Sequence, residues 1–525
     1  MKVWFAAALW LMCSALPARA EMVYHRGNPG DPSTLDAQLT STVVESDILL
    51  DMYEGLVTYD VEGAIVPGAA ESWSANADAT LYTFTLRADG RWSNGDPVRA
   101  QDFVFALRRL MTPATGAKYA NVLYTIKGAE KVNKGEAPPD TLGVRALDER
   151  HLEIALENPA PYFIAQLAHP TAMPLHQASV EKFGKDFVRP ENHVTNGPFR
   201  LAEFIPNDHI TLVKNPNFRA ASEVKIDREM IVPLEDRAAA LRRFQAGEID
   251  TYNDVPADQV KFIRQTLKDQ FRLAPFLGTY YYVFNTRKKP FDDKRVRRAL
   301  SMMVDREFLA EEIWGGTMLP AYAFVPPGVA NAGAPVTMAF KSLSPIERED
   351  TAVALLKEAG YGPGQQKLMI EIRYNTSENH KNTSVALADM WKPLNVEARL
   401  VNSDIKTHYA LLRDKGDFDV ARAGWVADYS DPQNFLFLGQ SNNAGLNYAT
   451  WSNAEFDALM AGAEKQTDLA KRGALLSQAE AILLDETPYL PLLFYSSKNL
   501  VSPKVTGWKT NILDRHLARY ISIGP

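Results

Sequence analysis

Arg422 and Asp428, six positions apart in the run DVARAGWVADYSDP from Asp419 to Pro432, are the side chains best placed by type and spacing to hold a charged ligand. One is a permanent planar cation and the other a carboxylate, and the rings of Trp425 and Tyr429 stand beside them. Val420 and Ala421 next to Asp419 and Arg422 suit the end of a buried strand. Gly424 and the closing Pro432 then punctuate a loop, and binding residues are commonly carried on loops held by a rigid scaffold. Opposite charges along one extended segment could meet the two ends of a zwitterion. They could equally pair with neighbours and serve only to hold the loop.

Positioning such residues takes regular elements on either side. Leu81–Leu86 and His151–Leu156 alternate with period two and predict strands, and Phe103, Leu107 and Leu110 mark one face of a helix over 102–110. Ile48, Leu49 and Met52 mark another helix, ended at Glu54-Gly55. Ile210–Val213 predicts a strand, and 236–245 a helix stopped by Gly247. The aromatic run Tyr280 to Phe284 reads as a strand between two layers. The pattern over 292–314 predicts one amphipathic helix with Val296, Leu300, Met303 and Phe308 inward and Lys294, Arg297, Arg298 and Glu311 in water. A Pro- and Gly-rich stretch over 316–344 predicts a surface loop. Beyond it, helices are expected over 347–359, 383–394, 405–412 and 471–485, and strands over 368–374, 396–401 and 490–495. Two α/β lobes with a mostly β region before residue 177 account for these pieces.

At 525 residues the chain exceeds the size of a single hydrophobic core. Hydrophobic content of 46% and charged content of 23% are those of an ordinary soluble globular protein. A net charge of -7 argues against a nucleic-acid partner, which needs a basic surface. Residues 1–20 have the form of a cleavable export signal: Lys2, an apolar run over 3–12, then Pro17 and Ala18-Arg19-Ala20 before Glu21. Its removal would take away Lys2, Arg19 and Cys13, the single cysteine, and leave 55 basic against 64 acidic residues. The mature chain is thus expected to be exported, soluble, and without disulfides or cysteine-bound metal.

Catalytic motifs are missing. The sequence has no H-E-x-x-H, no phosphate-binding Walker loop and no G-x-S-x-G elbow, and its nine histidines are scattered. An exported hydrolase with two distant carboxylates remains the alternative class, separable by product formation.

Five stretches in order carry a resemblance that spans essentially the whole mature chain. They are PGAAESW (67–73), TFTLRADGRWSNGDPVRAQDFVFALRR (83–109), TNGPFRL (195–201), TYYYVFNTRKKPFDDKRVRRAL (279–300) and the opening run. Together they resemble the periplasmic oligopeptide-binding proteins of ABC importers, the dipeptide/oligopeptide solute-binding family. The resemblance implies an α/β, two-lobed hinged binding protein (type II, cluster C-like) with an additional inserted domain. The first lobe would comprise 21–52, 177–278 and 495–525, the insertion 53–176, and the opposing lobe 279–494.

The same resemblance implies the site. Asp428 would receive the α-ammonium of a peptide, and Arg422, Arg413 and His380 would serve its α-carboxylate at different ligand lengths. Tyr280, Gly424, Trp425 and Val426 would form the wall, and main-chain groups there and around Ser41 to Val43 would pair with the peptide backbone as a strand does. No cofactor and no chemistry on the ligand are implied. The partners would be short peptides and a membrane-embedded ABC permease, the protein acting as a periplasmic monomer. A specialised ligand (a murein peptide, an opine-like conjugate or a peptide antibiotic) is the alternative within the fold. The chain departs from relatives at three places. Gly278 and Val426 stand where some have a disulfide, Trp314 where a basic residue holds the carboxylate of longer peptides, and Ser41 where an acidic residue is found.

Overall fold

The structure is a computed structural model that describes residues 21–40, 42–443 and 445–524. The expected signal segment with Cys13, and Ser41, lie outside the described residues.

Two long antiparallel strands, Phe271–Phe284 and Tyr489–Val501, run through the middle of the molecule. One end of the pair takes Val420–Val426, Leu368–Asn375 and Val396–Ser403 alongside, in that order outward from Phe271–Phe284. At the other end Tyr489–Val501 meets Thr251–Tyr252, followed by Val23–Asn28, Arg228–Pro233, His209–Lys214 and Phe199–Ile205. Between the two ends the ladder breaks register. Phe271–Pro275 pairs with Ser496–Leu500, Thr279–Val283 pairs with Tyr489–Phe494, and the irregular join falls between Pro275 and Thr279. At that irregularity the strand bends and twists locally where the two covalent crossings run.

Burial explains why the aromatic run reads as it does. In Phe271–Phe284 the first six residues are mostly half-exposed and the last eight are all buried, so Tyr280, Tyr281 and Tyr282 sit between layers on both faces. They belong to a core confined to 277–493, separate from the core shared by 24–231, Tyr429 and 517–521. The latter includes a four-stranded sheet, Ala70–Ala75, Leu81–Leu86, His151–Ala155 and Val144–Ala146, against which the helix Ala100–Met111 buries Phe103, Leu107 and Leu110.

Several elements follow the expected pattern closely, among them the helix Arg237–Gln245, whose N-cap Asp236 accepts from Ala238 and Ala239 N–H. The single helix expected over 292–314 is instead three pieces. Lys294–Met302 stops, Asp305 recaps a short turn by accepting from Phe308 N–H, and a wider turn, Leu309–Ile313, delivers Trp314. Arg297 does not face water. It is 2% exposed, donates to the carbonyls of Phe291, Glu486 and Thr487, and lies 3.6 Å from the Glu486 carboxylate. Phe308, expected inward, is exposed. The 316–344 stretch is also more than a surface wrap. Tyr322, Phe324 and Met338 are buried, and Arg306 fixes the stretch by donating to Ala321 O at 2.8 Å and Pro491 O at 3.0 Å.

Candidate functional site

Arg422 leaves the strand Val420–Val426 opposite Tyr282 and is buried, 7% exposed. Its guanidinium donates to Asn375 Oδ1 (3.1 Å), Tyr409 Oη (3.0 Å) and Tyr495 Oη (2.8 Å), and lies 4.9 Å above the centre of the Tyr280 ring. All of these partners are neutral, and Nε has none. A buried cation ordinarily has a carboxylate beside it, because desolvating an ion costs several kcal/mol that neutral oxygens offset only in part. Arg422 has no such carboxylate among the described residues.

Asp428 shows the converse arrangement two residues past the end of the same strand. The Tyr119 hydroxyl is 2.9 Å from both carboxylate oxygens, and the Asp428 N–H donates to Asn434 Oδ1 at 3.0 Å. No cation is in ion-pair contact with it among the described residues. Burial pushes its carboxyl up to about 6, opposed by the Tyr119 hydrogen bond and the more distant charge of Arg515.

The wall between these charges is shaped by a missing side chain. Gly424 pairs with Tyr280 across the ladder, and a Cβ there would come within 2.7 Å of Tyr495 Oη and 3.1 Å of the Arg422 guanidinium. Glycine is thus what allows Tyr495 to reach Arg422. Gly278 and Val426 do face each other in the ladder, and the room left by Gly278 is filled by the Tyr495 ring, 2.7 Å from where a Cβ would lie. Trp425 donates its indole N–H to Asn434 Oδ1 and rests on Phe437.

His380 stands next to Arg422 through Tyr280, sharing a hydrogen bond of 3.2 Å between Nδ1 and the Tyr280 hydroxyl. Its expected positive charge is not found. Burial, with the charge of Arg422 adding to it, lowers its pKa to about 2, so the ring is neutral. Arg413 ends the helix Ile405–Arg413 exposed, its charge acting on Tyr448. Val43 is the exposed first residue of the helix Val43–Met52, where backbone N–H groups have no partner within the helix. Trp314 is buried against Tyr280 (5.2 Å between ring centres) and donates to Thr383 Oγ1.

Tyr119, Tyr409, Asn375 and Tyr495 come from four separate segments and carry no local signal that would have singled them out. Neither does the contact that brings residues 53–176 onto the opening run. Tyr162 stacks on Tyr429 with 4.9 Å between ring centres and planes 10° apart, and Arg472 lies 5.3 Å from the Tyr162 ring while bonding Asp431 at 2.8 and 2.9 Å. Asp431 is fully buried in that ion pair. Beside the site a cleft of about 1320 Å³ opens between Arg237, Pro256 and Val260 on one side and Ile313, Gly315 and Glu378 on the other.

Two regions joined by a pair of crossing strands, with a cleft between them and uncompensated charges beside it, define a two-lobed solute-binding protein. The family model for the bacterial extracellular solute-binding proteins, family 5 (middle part), matches residues 64–447. The periplasmic oligopeptide-binding protein of Escherichia coli is 38% identical over 488 residues, covering 92% of this chain and 89% of its own. The periplasmic murein peptide-binding protein of the same organism is 36% identical over 501 residues, 95% and 92% of the two chains. The solved structure of the Burkholderia pseudomallei protein OppA superposes with a TM-score of 0.86 at 35% identity, covering 97% of this chain and all (100%) of that one. This chain belongs to the bacterial extracellular solute-binding proteins of family 5.

Proposed function

We propose that this protein captures short peptides between its lobes outside the cytoplasm, in the periplasm, and delivers them to an ABC permease. The observation that carries the reading is a pair of uncompensated charges: Arg422, buried with neutral partners only, and Asp428, half-buried and held by Tyr119 and Asn434. A free peptide supplies the two missing ions, an ammonium for Asp428 and a carboxylate for Arg422, and each then gains a charge-assisted hydrogen bond. Between them the ligand backbone pairs with main-chain groups of Gly424, Trp425 and Val426, which fixes polarity without reading side chains. The first lobe is formed by 21–52, 177–278 and 495–525, the inserted domain by 53–176 and the opposing lobe by 279–494. Closure turns about the two crossings near residues 278 and 495. No bond of the ligand is broken.

Calorimetry tests this with a mixed set of peptides of two to six residues, a murein tripeptide among them because of the similarity to a murein peptide-binding protein. Truncating one partner of a buried charge pair costs about 2–5 kcal/mol. Arg422→Ala is therefore expected to lose at least about thirtyfold in affinity for free-acid peptides and much less for their C-amides. Equal losses for both forms, or no uptake of any peptide by the unaltered protein, would refute the assignment.

A further inference from the structure

Asp428 stands on a loop past the end of the strand Val420–Val426, half-buried and without an ion-pair partner among the described residues. Two side chains fix it there. Tyr119 reaches the carboxylate from the inserted domain at 2.9 Å, and Asn434 reaches the Asp428 backbone from within the same lobe at 3.0 Å. In the division of lobes proposed above, the Tyr119 bond crosses from the inserted domain to the opposing lobe and parts when the two separate. The Asn434 bond is internal to one lobe and holds whether the lobes are apart or together.

Asn434 is itself seated as firmly as a core residue. It is 2% exposed on the short helix Gln433–Leu436, next to the fully buried Phe435 and Leu436. That helix starts on Asp431, whose carbonyl accepts from the Asn434 N–H at 3.0 Å and whose Oδ1 accepts from the Gln433 N–H at 2.9 Å while pairing with Arg472. From this anchor the carboxamide turns back on the loop. Its Oδ1 accepts two bonds at once, from the Asp428 N–H at 3.0 Å and from the Trp425 indole N–H at 3.2 Å. Both partners can only donate, so the atom that faces them is the oxygen. The same side chain also acts on the Asp428 carboxyl, lowering its pKa against the larger effect of burial. One side chain therefore ties the wall residue Trp425 to the charge of Asp428.

The spacing between wall and charge matters for an extended ligand. Its backbone advances about 3.3 Å per residue, so when it is paired with the wall its terminal ammonium falls at one place only. A carboxylate held at that place in advance loses less in ordering when the ligand arrives. We infer that Asn434 is a positioning residue for peptide recognition: its carboxamide sets Asp428 at a fixed offset from Trp425 and so decides where the amino end of a peptide must lie. The inference rests on the peptide reading above and adds to it a requirement for Asn434.

Calorimetry of trialanine and N-acetyl-trialanine across pH tests it with Asn434→Leu, which keeps nearly the same shape and removes the polar atoms. The ratio of the two affinities is expected to fall at least about tenfold, one charge-assisted hydrogen bond's worth. The pH below which trialanine binding weakens, about 6 in the unaltered protein, is expected to move up as the Asn434 contact is lost. The groups facing Asp428 do not titrate there: Tyr119 and Tyr59 from the inserted domain and Tyr429 beside it stay neutral, and Arg515 stays charged. Asn434→Ala serves in place of leucine if that variant folds poorly. A lower melting temperature with both the ratio and the pH profile unchanged makes Asn434 a packing residue and overturns the inference, while Asp428 keeps its role. An unaltered protein that binds both forms equally overturns the assignment of Asp428 and this one with it, and one that binds no peptide overturns the peptide reading itself.

Discussion

Protonating Asp428 should switch off the grip on a peptide's amino end in mildly acidic solution. In the unliganded protein burial raises this carboxyl to about 6, against the Tyr119 hydrogen bond and the charge of Arg515. Only the ionised form can pair with an ammonium. At pH 7 roughly nine-tenths of the protein carries that ion and at pH 5 roughly one-tenth, so affinity should fall about tenfold, or about 1.4 kcal/mol, with one proton taken up per peptide released. His380 does not titrate in this interval, its pKa lying near 2, and a peptide's own amino group stays charged below about pH 7. Stability of the unliganded fold should respond with the opposite sign. A carboxyl whose folded pKa exceeds its unfolded value of about 3.9 favours the folded state increasingly as pH drops from above 6 toward 4. Glu480, Asp51 and Glu229 also have raised pKa values, but none touches the peptide wall, so Asp428→Asn is the control. The assay is calorimetry of a trialanine and its N-acetyl form at pH 7 and 5, repeated in buffers of different ionisation enthalpy to count protons. The unaltered protein should lose affinity only for the free amine, and Asp428→Asn should bind the free amine weakly with no pH dependence. A flat profile for the unaltered protein, or the same slope in the variant, would refute the reasoning.

Other substitutions test the scaffold around the two charges. Gly424→Ala places a methyl 2.7 Å from Tyr495 Oη; it should cost about 1–3 kcal/mol of stability in denaturant titrations and lower peptide affinity by displacing Tyr495 from Arg422. Asp431→Asn leaves the 1%-exposed Arg472 side chain without its ion, and a loss of about 3–5 kcal/mol in the same titration is expected. Tyr162→Ala removes the stack on Tyr429 and should favour the open form by about 0.5–1.5 kcal/mol, seen as a larger radius of gyration without ligand and as weaker binding of every peptide alike.

Local chemistry made much of the chain legible. The period-two run Leu81–Leu86 is a strand, the capped Arg237–Gln245 is a helix, and the aromatic run is a strand buried on both faces, because alternation and capping act over a few residues. The stretch over 292–314 shows the limit of that logic. Its periodicity runs on through Met303 and Phe308, yet Asp305 recaps the chain and Arg297 turns inward to three carbonyls supplied partly by residues nearly two hundred positions away.

The site divides in the same way. By themselves the residue types specified a fixed cation at Arg422, a carboxylate at Asp428 and a glycine between them, since charge and the lack of a Cβ are properties of single residues. Whether those charges were already paired depended on what other segments brought to them. Tertiary structure surrounded Arg422 with Asn375, Tyr409 and Tyr495, set Tyr119 on Asp428 and neutralised His380. The physical reason is that desolvation and Coulomb terms depend on distance through space, and the fold brings these groups together from up to 309 positions apart.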